Sequence, residues 1–188
     1  PPTVGHEKLI TAVQSVARTR GGDFFVYPSH SQDPKKNPLN QATKIKYMKK
    51  MFPKFKKNII ASSGKTALNI AAELYKKKYT TLVMVVGSDR VDEFQRILDK
   101  YNGQDLAHGF YDFDQIYVVS AGERDPDAEG VEGMSASKMR AAAVAGDFKS
   151  FRMGTPKALS DSDTKQLFND IRKGMRLEVV KEGSKWKN

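Results

Sequence analysis

Apolar positions along the chain follow two periods in turn. Leu9, Ile10, Val13, Val16 and Ala17 recur at helical spacing and predict an amphipathic helix over 6–18, stopped by Gly21-Gly22. The aromatic and β-branched run 24–27, closed by Pro28, reads as a buried strand, and the polar, proline-punctuated stretch 29–39 as the loop at its carboxyl end. Ile45, Met48 and Phe52 predict the inner face of a helix over 40–51, 58–61 a second strand, and Leu68, Ala71, Ala72 and Leu74 or Tyr75 the buried stripe of a helix over 66–77. Residues 80–86 predict a strand in which Leu82, Val83, Met84, Val85 and Val86 are apolar without alternation, as in a parallel strand covered on both faces, and which ends at Gly87-Ser88-Asp89-Arg90. A helix over 91–101 with Phe94, Ile97 and Leu98 inward, a strand over 114–120, a Gly- and Asp-rich loop over 121–133 and a helix over 135–145 follow. The tail adds a short element at 147–153, a helix over 160–172 carrying Leu167, Phe168 and Ile171, and an extended piece at 177–180.

Strict alternation of strands and helices with short connections calls for an α/β fold: a Rossmann-like, doubly wound parallel sheet with helices on both faces and a small C-terminal helical extension. The predicted division is an α/β domain over 1–150 and an extension over 151–188 packed on it. In such folds ligands bind beyond the carboxyl ends of the strands, which singles out 29–39, 87–90, 121–137 and the turn before the first helix.

Charge and composition narrow the chemistry without choosing it. The formal net charge of +10 favours polyanionic partners: a nucleoside triphosphate, a nucleic acid or an acidic protein surface. Much of the excess sits in Lys44, Lys46, Lys49, Lys50, Lys54, Lys56 and Lys57 and in Lys76-Lys77-Lys78. These read first as solvated faces and C-terminal complements to helix dipoles; a nucleic-acid stripe is the alternative, with no aromatics interleaved for single-strand stacking. Cysteine is absent, which removes disulfides and thiolate metal sites, and the three histidines share no ligand spacing. No apolar run reaches the roughly 18–20 residues of a membrane helix, so the expectation is a cytoplasmic protein without a membrane partner.

Two short motifs carry the candidate chemistry. In Thr3-Val4-Gly5-His6, Gly5 lets backbone approach a ligand and His6 stands where helix amides and dipole favour an anion. In Met134-Ser135-Ala136-Ser137-Lys138-Met139-Arg140, two hydroxyls and a guanidinium surround another helix start. The first resembles the T/HxGH motif of the nucleotidyltransferase superfamily, which includes the nicotinamide-mononucleotide and pantetheine-phosphate adenylyltransferases; the second resembles that superfamily's Ile-Ser-Ser-Thr-x-x-Arg signature. Lys35-Lys36-Asn37-Pro38 is similar to the family's basic loop and Gly87-Ser88-Asp89 to its Gly-x-Asp turn, so the resemblance covers nearly all of 1–150.

The resemblance implies transfer of a nucleoside monophosphate, AMP from ATP ahead of CMP from CTP, to a small phosphorylated acceptor, releasing pyrophosphate by in-line displacement without a covalent intermediate. It implies that His6 donates to the α-phosphate with Thr3 in place of a first histidine, that Ser135, Ser137 and the backbone from Met134 hold the outer phosphates, and that Arg140 stabilises the departing pyrophosphate. Lys35 or Lys36 would reach the acceptor; Gly87 and Asp89 would serve the nucleoside, and Arg90 and Arg124 the phosphates. Mg²⁺ would be bound through the triphosphate rather than by protein ligands. Plainer roles stand beside these: Ser135 as an N-cap, Arg140 paired with Asp125 or Asp127, and Lys35 and Lys36 as turn residues.

Two motifs are set aside. Gly64-Lys65-Thr66 ends like a Walker A loop but has Ile59 where that motif needs its first glycine, and the serines around His30 lack a nucleophile elbow. Family members begin with a central strand ahead of the first motif, so a missing first strand is expected here, and the acidic stretch 125–132 suggests a lid or specificity element. The rival reading is a non-catalytic scaffold or nucleic-acid-binding module within a larger assembly.

Overall fold

The computed structural model describes residues 1–122 and 134–180. Among these are seven α-helices, α1 (His6–Arg20), α2 (Gln41–Met51), α3 (Ala67–Lys76), α4 (Val91–Tyr101), α5 (Ala136–Ala145), α6 (Phe148–Met153) and α7 (Asp161–Gly174), and two strands, β1 (Thr81–Val86) and β2 (Gln115–Ser120). Helix ends follow local chemistry. Asn40, Ser135, Asp147 and Ser160 each cap a helix by accepting from a backbone N–H three residues on. Gly146, at φ 71°, closes α5 in the left-handed conformation that costs glycine least.

The chain divides into two compact units. The first holds Pro1–Ile10, Asp23–Ala61 and, of the described residues, 134–180. Its core gathers Ile10, Tyr47, Met139, Phe151, Leu167 and Phe168, all essentially inaccessible to water. The second holds Thr11–Gly22 and, of the described residues, 62–122; its core is built on Ala71, Leu98, Tyr111, Phe113 and Val118.

In the second unit β1 and β2 pair in parallel, from Thr81 opposite Gln115 to Val86 opposite Ser120, with α4 in the crossover. Gln95 of α4 supplies part of a ladder on the other side of β2. Its amide donates to Ile116 O (3.0 Å) and accepts from Val118 N–H (2.8 Å), satisfying groups on that strand that do not face β1.

The structure is therefore mixed α/β with parallel pairing, but the described sheet has two strands. The stretches 24–27 and 58–61, expected as strands, form a single parallel bridge between Val26 and Ile59 in the first unit. Val26 N–H donates to Asn58 O and Ile60 N–H to Val26 O, and the ladder goes no further. Pro28 has no N–H to extend it, and Phe24 O is taken instead by the Asn58 side chain. The piece 177–180 likewise pairs with no strand among the described residues: the Asn169 side chain bonds both N–H and C=O of Val180. No helix among the described residues is long and apolar enough to cross a membrane.

Candidate functional site

The sequence-predicted residues of the first unit lie on three segments: the turn before α1, the loop 29–39 and the start of α5. In the turn, Thr3 is buried at 3% exposure and its N–H donates to His6 Nδ1 at 2.9 Å, with Thr3 Oγ1 3.2 Å from the same nitrogen. Nδ1 is therefore the acceptor nitrogen, and in the neutral ring the proton sits on Nε2, where it can be donated to an anion. A Cβ built on Gly5 would meet nothing nearer among the described residues than Thr3 Oγ1 at 3.5 Å, so none of them fills the exposed space beside Gly5.

The loop bearing Lys35 and Lys36 is tied from within. Asp33 Oδ1 accepts from the N–H groups of Lys35 (2.9 Å) and Lys36 (2.7 Å), Oδ2 accepts from the Asn37 amide (2.9 Å), and Asp33 and Asn37 also pair through their backbones. Those donors, led by the Lys36 N–H, hold the exposed Asp33 carboxyl at a pKa of about 2. The two lysine side chains extend into solvent.

Lys44 corrects the expectation of a solvated lysine face. It is 8% exposed, and its ammonium donates to Ser29 O, Ser29 Oγ and Ser31 O at 2.8–3.1 Å. Burial pulls its pKa below the usual lysine value, partly offset by the nearby Asp33 charge. Two other α2 lysines also have structural contacts: Lys50 pairs with Asp163 at 3.0 Å, and Lys46 lies 5.0 Å from the Tyr47 ring centroid.

At α5, Ser135 is an N-cap, its Oγ accepting from Lys138 N–H at 3.2 Å. Arg140 donates through Nη1 to Lys36 O and through Nη2 to Ser137 Oγ, each at 3.1 Å. Both acceptors are neutral, and among the described residues no carboxylate pairs with Arg140. Asp125 and Asp127, its other suggested partners, lie outside the described residues, as do Arg124 and the whole acidic stretch. Ser137 Oγ accepts from Arg140, and its own proton has no acceptor among the described residues.

Gly154, which the sequence did not single out, ties the turn to α5. Its carbonyl accepts from Val4 N–H at 2.8 Å, and a Cβ there would stand 2.7 Å from Met139 Sδ and 3.2 Å from Met134 Cβ. The His6 turn and the start of α5 thus share one neighbour that has no side chain. Gly174, the last residue of α7, plays a similar part for the loop, since a Cβ there would fall 2.0 Å from Pro38 O. Neither glycine stands in a motif; each is needed for a close approach between distant segments.

In the second unit, Gly87 precedes a 3₁₀ turn, Ser88–Arg90, that leads into α4. A Cβ on Gly87 would press on the Asp89 carboxylate at 3.0 Å. Arg90 pairs with Glu93 at 3.0 Å and its guanidinium lies 4.8 Å from the Phe94 ring centroid. The rejected Walker-like loop is in this unit too: Glu73 Oε1 accepts from Ser63 N–H and Gly64 N–H, each at 3.0 Å, and from the Ser63 hydroxyl. Its amides are occupied by the chain's own carboxylate.

Compared with protein-family models, with curated proteins and with solved structures, the chain matches none.

Proposed function

We propose that the chain is a nucleotidyltransferase of the T/HxGH superfamily, transferring a nucleoside monophosphate, AMP from ATP as the first candidate, to a small phosphorylated acceptor. The observation that carries this reading is Arg140: a cation without a carboxylate partner among the described residues, bonded to Ser137 of one motif and to the carbonyl of Lys36 in the basic loop. Its supports are the His6 tautomer set by Thr3 N–H and the shared neighbour Gly154. The scaffold in this reading is a Rossmann-like, doubly wound fold in a cytoplasmic enzyme, for which the parallel pairing of β1 with β2 and the parallel Val26–Ile59 bridge speak.

In the proposed reaction an oxygen of the acceptor phosphate attacks the α-phosphorus, the bond to the bridging oxygen breaks, and pyrophosphate leaves with that electron pair. His6 Nε2–H donates to the α-phosphate oxygens as charge builds on them. The Ser137 hydroxyl and Arg140 hold the leaving pyrophosphate, and Lys35 or Lys36 draws in the acceptor phosphate. All these groups act by position and charge. Among the described residues no cluster of three or more His, Asp or Glu side chains is placed to hold a metal ion, so Mg²⁺ in this proposal comes with the triphosphate and screens its charge.

The test is pyrophosphate release from ATP or CTP with Mg²⁺ and a panel of phosphorylated acceptors. Turnover that falls at least about 100-fold in His6→Ala, as expected on losing one donor to developing charge, supports the reading. Turnover indifferent to His6, or no binding of either triphosphate, overturns it.

A further inference from the structure

The second unit carries a groove of about 420 Å³ lined by Tyr75, Lys76, Lys78, Tyr79, Thr80 and Phe110. Thr80 immediately precedes β1, so the groove lies at the amino end of that strand, whereas the Gly87 turn follows its carboxyl end. None of the residues in the proposed reaction takes part in it. Tyr75 and Tyr79 flank the lysine run 76–78 in the sequence, and the fold adds Phe110 from a distant segment to the same groove.

The aromatic wall is braced. The Tyr75 ring meets Phe110 and the buried Phe113 edge-on, with centroids 5.6 Å away in both cases. Phe110 itself is 38% exposed and follows a closed turn in which Gly109 N–H donates to Leu106 O. That turn is held on α3: Asn69 donates to His108 O at 3.2 Å, and Gly109, at φ 101°, comes so near Ala72 that a Cβ would lie 3.1 Å from its methyl. Of the groove's cations, neither Lys76 nor Lys78 has an acidic partner among the described residues, and no carboxylate among them lines the groove. Lys78 also has a left-handed backbone, φ 75°, at a helix end where glycine is the least strained choice.

We propose that this groove binds single-stranded nucleic acid, one base stacking on the exposed aromatic wall and its flanking phosphates lying on Lys76 and Lys78. Flat rings beside cations that have no acidic partner among the described residues suit a ligand that is planar and anionic within a few ångströms. The groove's volume is at the lower end of ligand sites, enough for one nucleotide of a longer strand. A duplex hides its base faces in the stack; a single strand offers them. An acidic peptide would satisfy the lysines and leave the rings without a planar partner.

The test is fluorescence anisotropy of the full chain with a labelled oligothymidylate of about 12 nucleotides, at salt between about 50 and 200 mM. Binding that weakens with salt, falls about tenfold in Phe110→Ala and falls several-fold in Lys78→Gly is expected. The Lys78→Gly protein should melt no lower than the parent, because glycine suits that backbone, so its loss of binding cannot come from unfolding. His6→Ala and Arg140→Gln should leave the affinity unchanged, which separates this site from the proposed reaction. The proposal is overturned if both groove variants bind like the parent, if thymidine monophosphate competes as well per nucleotide as the oligomer, or if a duplex of equal length binds as tightly.

Discussion

Two helix starts in this chain look alike on paper and differ in what their polar groups hold. Before α3, the sequence Ser62-Ser63-Gly64-Lys65-Thr66 has the composition of a phosphate loop. Yet Glu73 reaches back to Ser63 and Gly64, and Thr66 forms a reciprocal capping box with Asn69. Before α5, the Ser135 side chain caps the Lys138 N–H, and Arg140 in the helix's first turns is bonded, among the described residues, to neutral oxygens. One end has its anion built in; the other, among the described residues, has a cation and a hydroxyl without one. Serine, glycine and a base near a helix start therefore do not define a phosphate site until the carboxylate that might occupy it has been located.

The sharpest way to break the contrast is to disturb the open end. Gly154→Val should force Met139 and Met134 apart and shift the Val4 bond. The expected loss is about 1–3 kcal/mol in chemical denaturation, together with a fall in turnover larger than the stability loss explains. A variant as stable and active as the parent would show that Gly154 does not join the two motifs. The closed end is opened by Glu73→Gln, which weakens bonds to two amides and a hydroxyl for about 1 kcal/mol and should leave turnover untouched. Burial alone would raise the Glu73 pKa, but the Ser63 and Gly64 donors and Lys77 outweigh it and lower it. Such a depressed carboxylate contributes fully above its unfolded value of 4.5 and loses that contribution as pH falls through the folded value. The gap between parent and Glu73→Gln should accordingly close under acid conditions; a gap constant with pH would mean that the charge does not matter there.

The smallest expected effect is at the basic loop. Asp33→Ala releases the Lys35 and Lys36 amides and should raise KM for the acceptor several-fold, with kcat and melting temperature almost unchanged because the loop is exposed. With the Asp33 pKa held at about 2 against 3.8 unperturbed, the bonds are complete above about pH 4 and lost only as pH falls toward 2. Amide exchange of Lys35 and Lys36 between those limits reports the loss.

How much of this was legible follows from the range of each interaction. The helices were readable because periodicity and caps are local: Thr66 with Asn69, Ser135 with Lys138, Ser160 with Asp163. β1 was readable as a parallel strand from its unbroken apolar run 82–86. The stretches 24–27 and 58–61 had strand composition too, but whether such a run pairs along its length depends on neighbours that composition does not name. Lys44 looked like one solvated lysine among many, and only the folded loop shows its ammonium closed in by Ser29 and Ser31. Gly154 and Gly174 carry no local signal at all, since each serves a segment far away in sequence.

The most direct test of the central claim is calorimetric binding of a non-hydrolysable nucleoside triphosphate with Mg²⁺ to the parent, Arg140→Gln and Glu73→Gln proteins. The account predicts that Arg140→Gln weakens binding at least about tenfold, as expected for a charge-assisted contact of about 1.5–3 kcal/mol, while Glu73→Gln binds like the parent. Binding that survives Arg140→Gln and responds instead to Glu73→Gln would place the triphosphate at the wrong helix start and contradict the assignment.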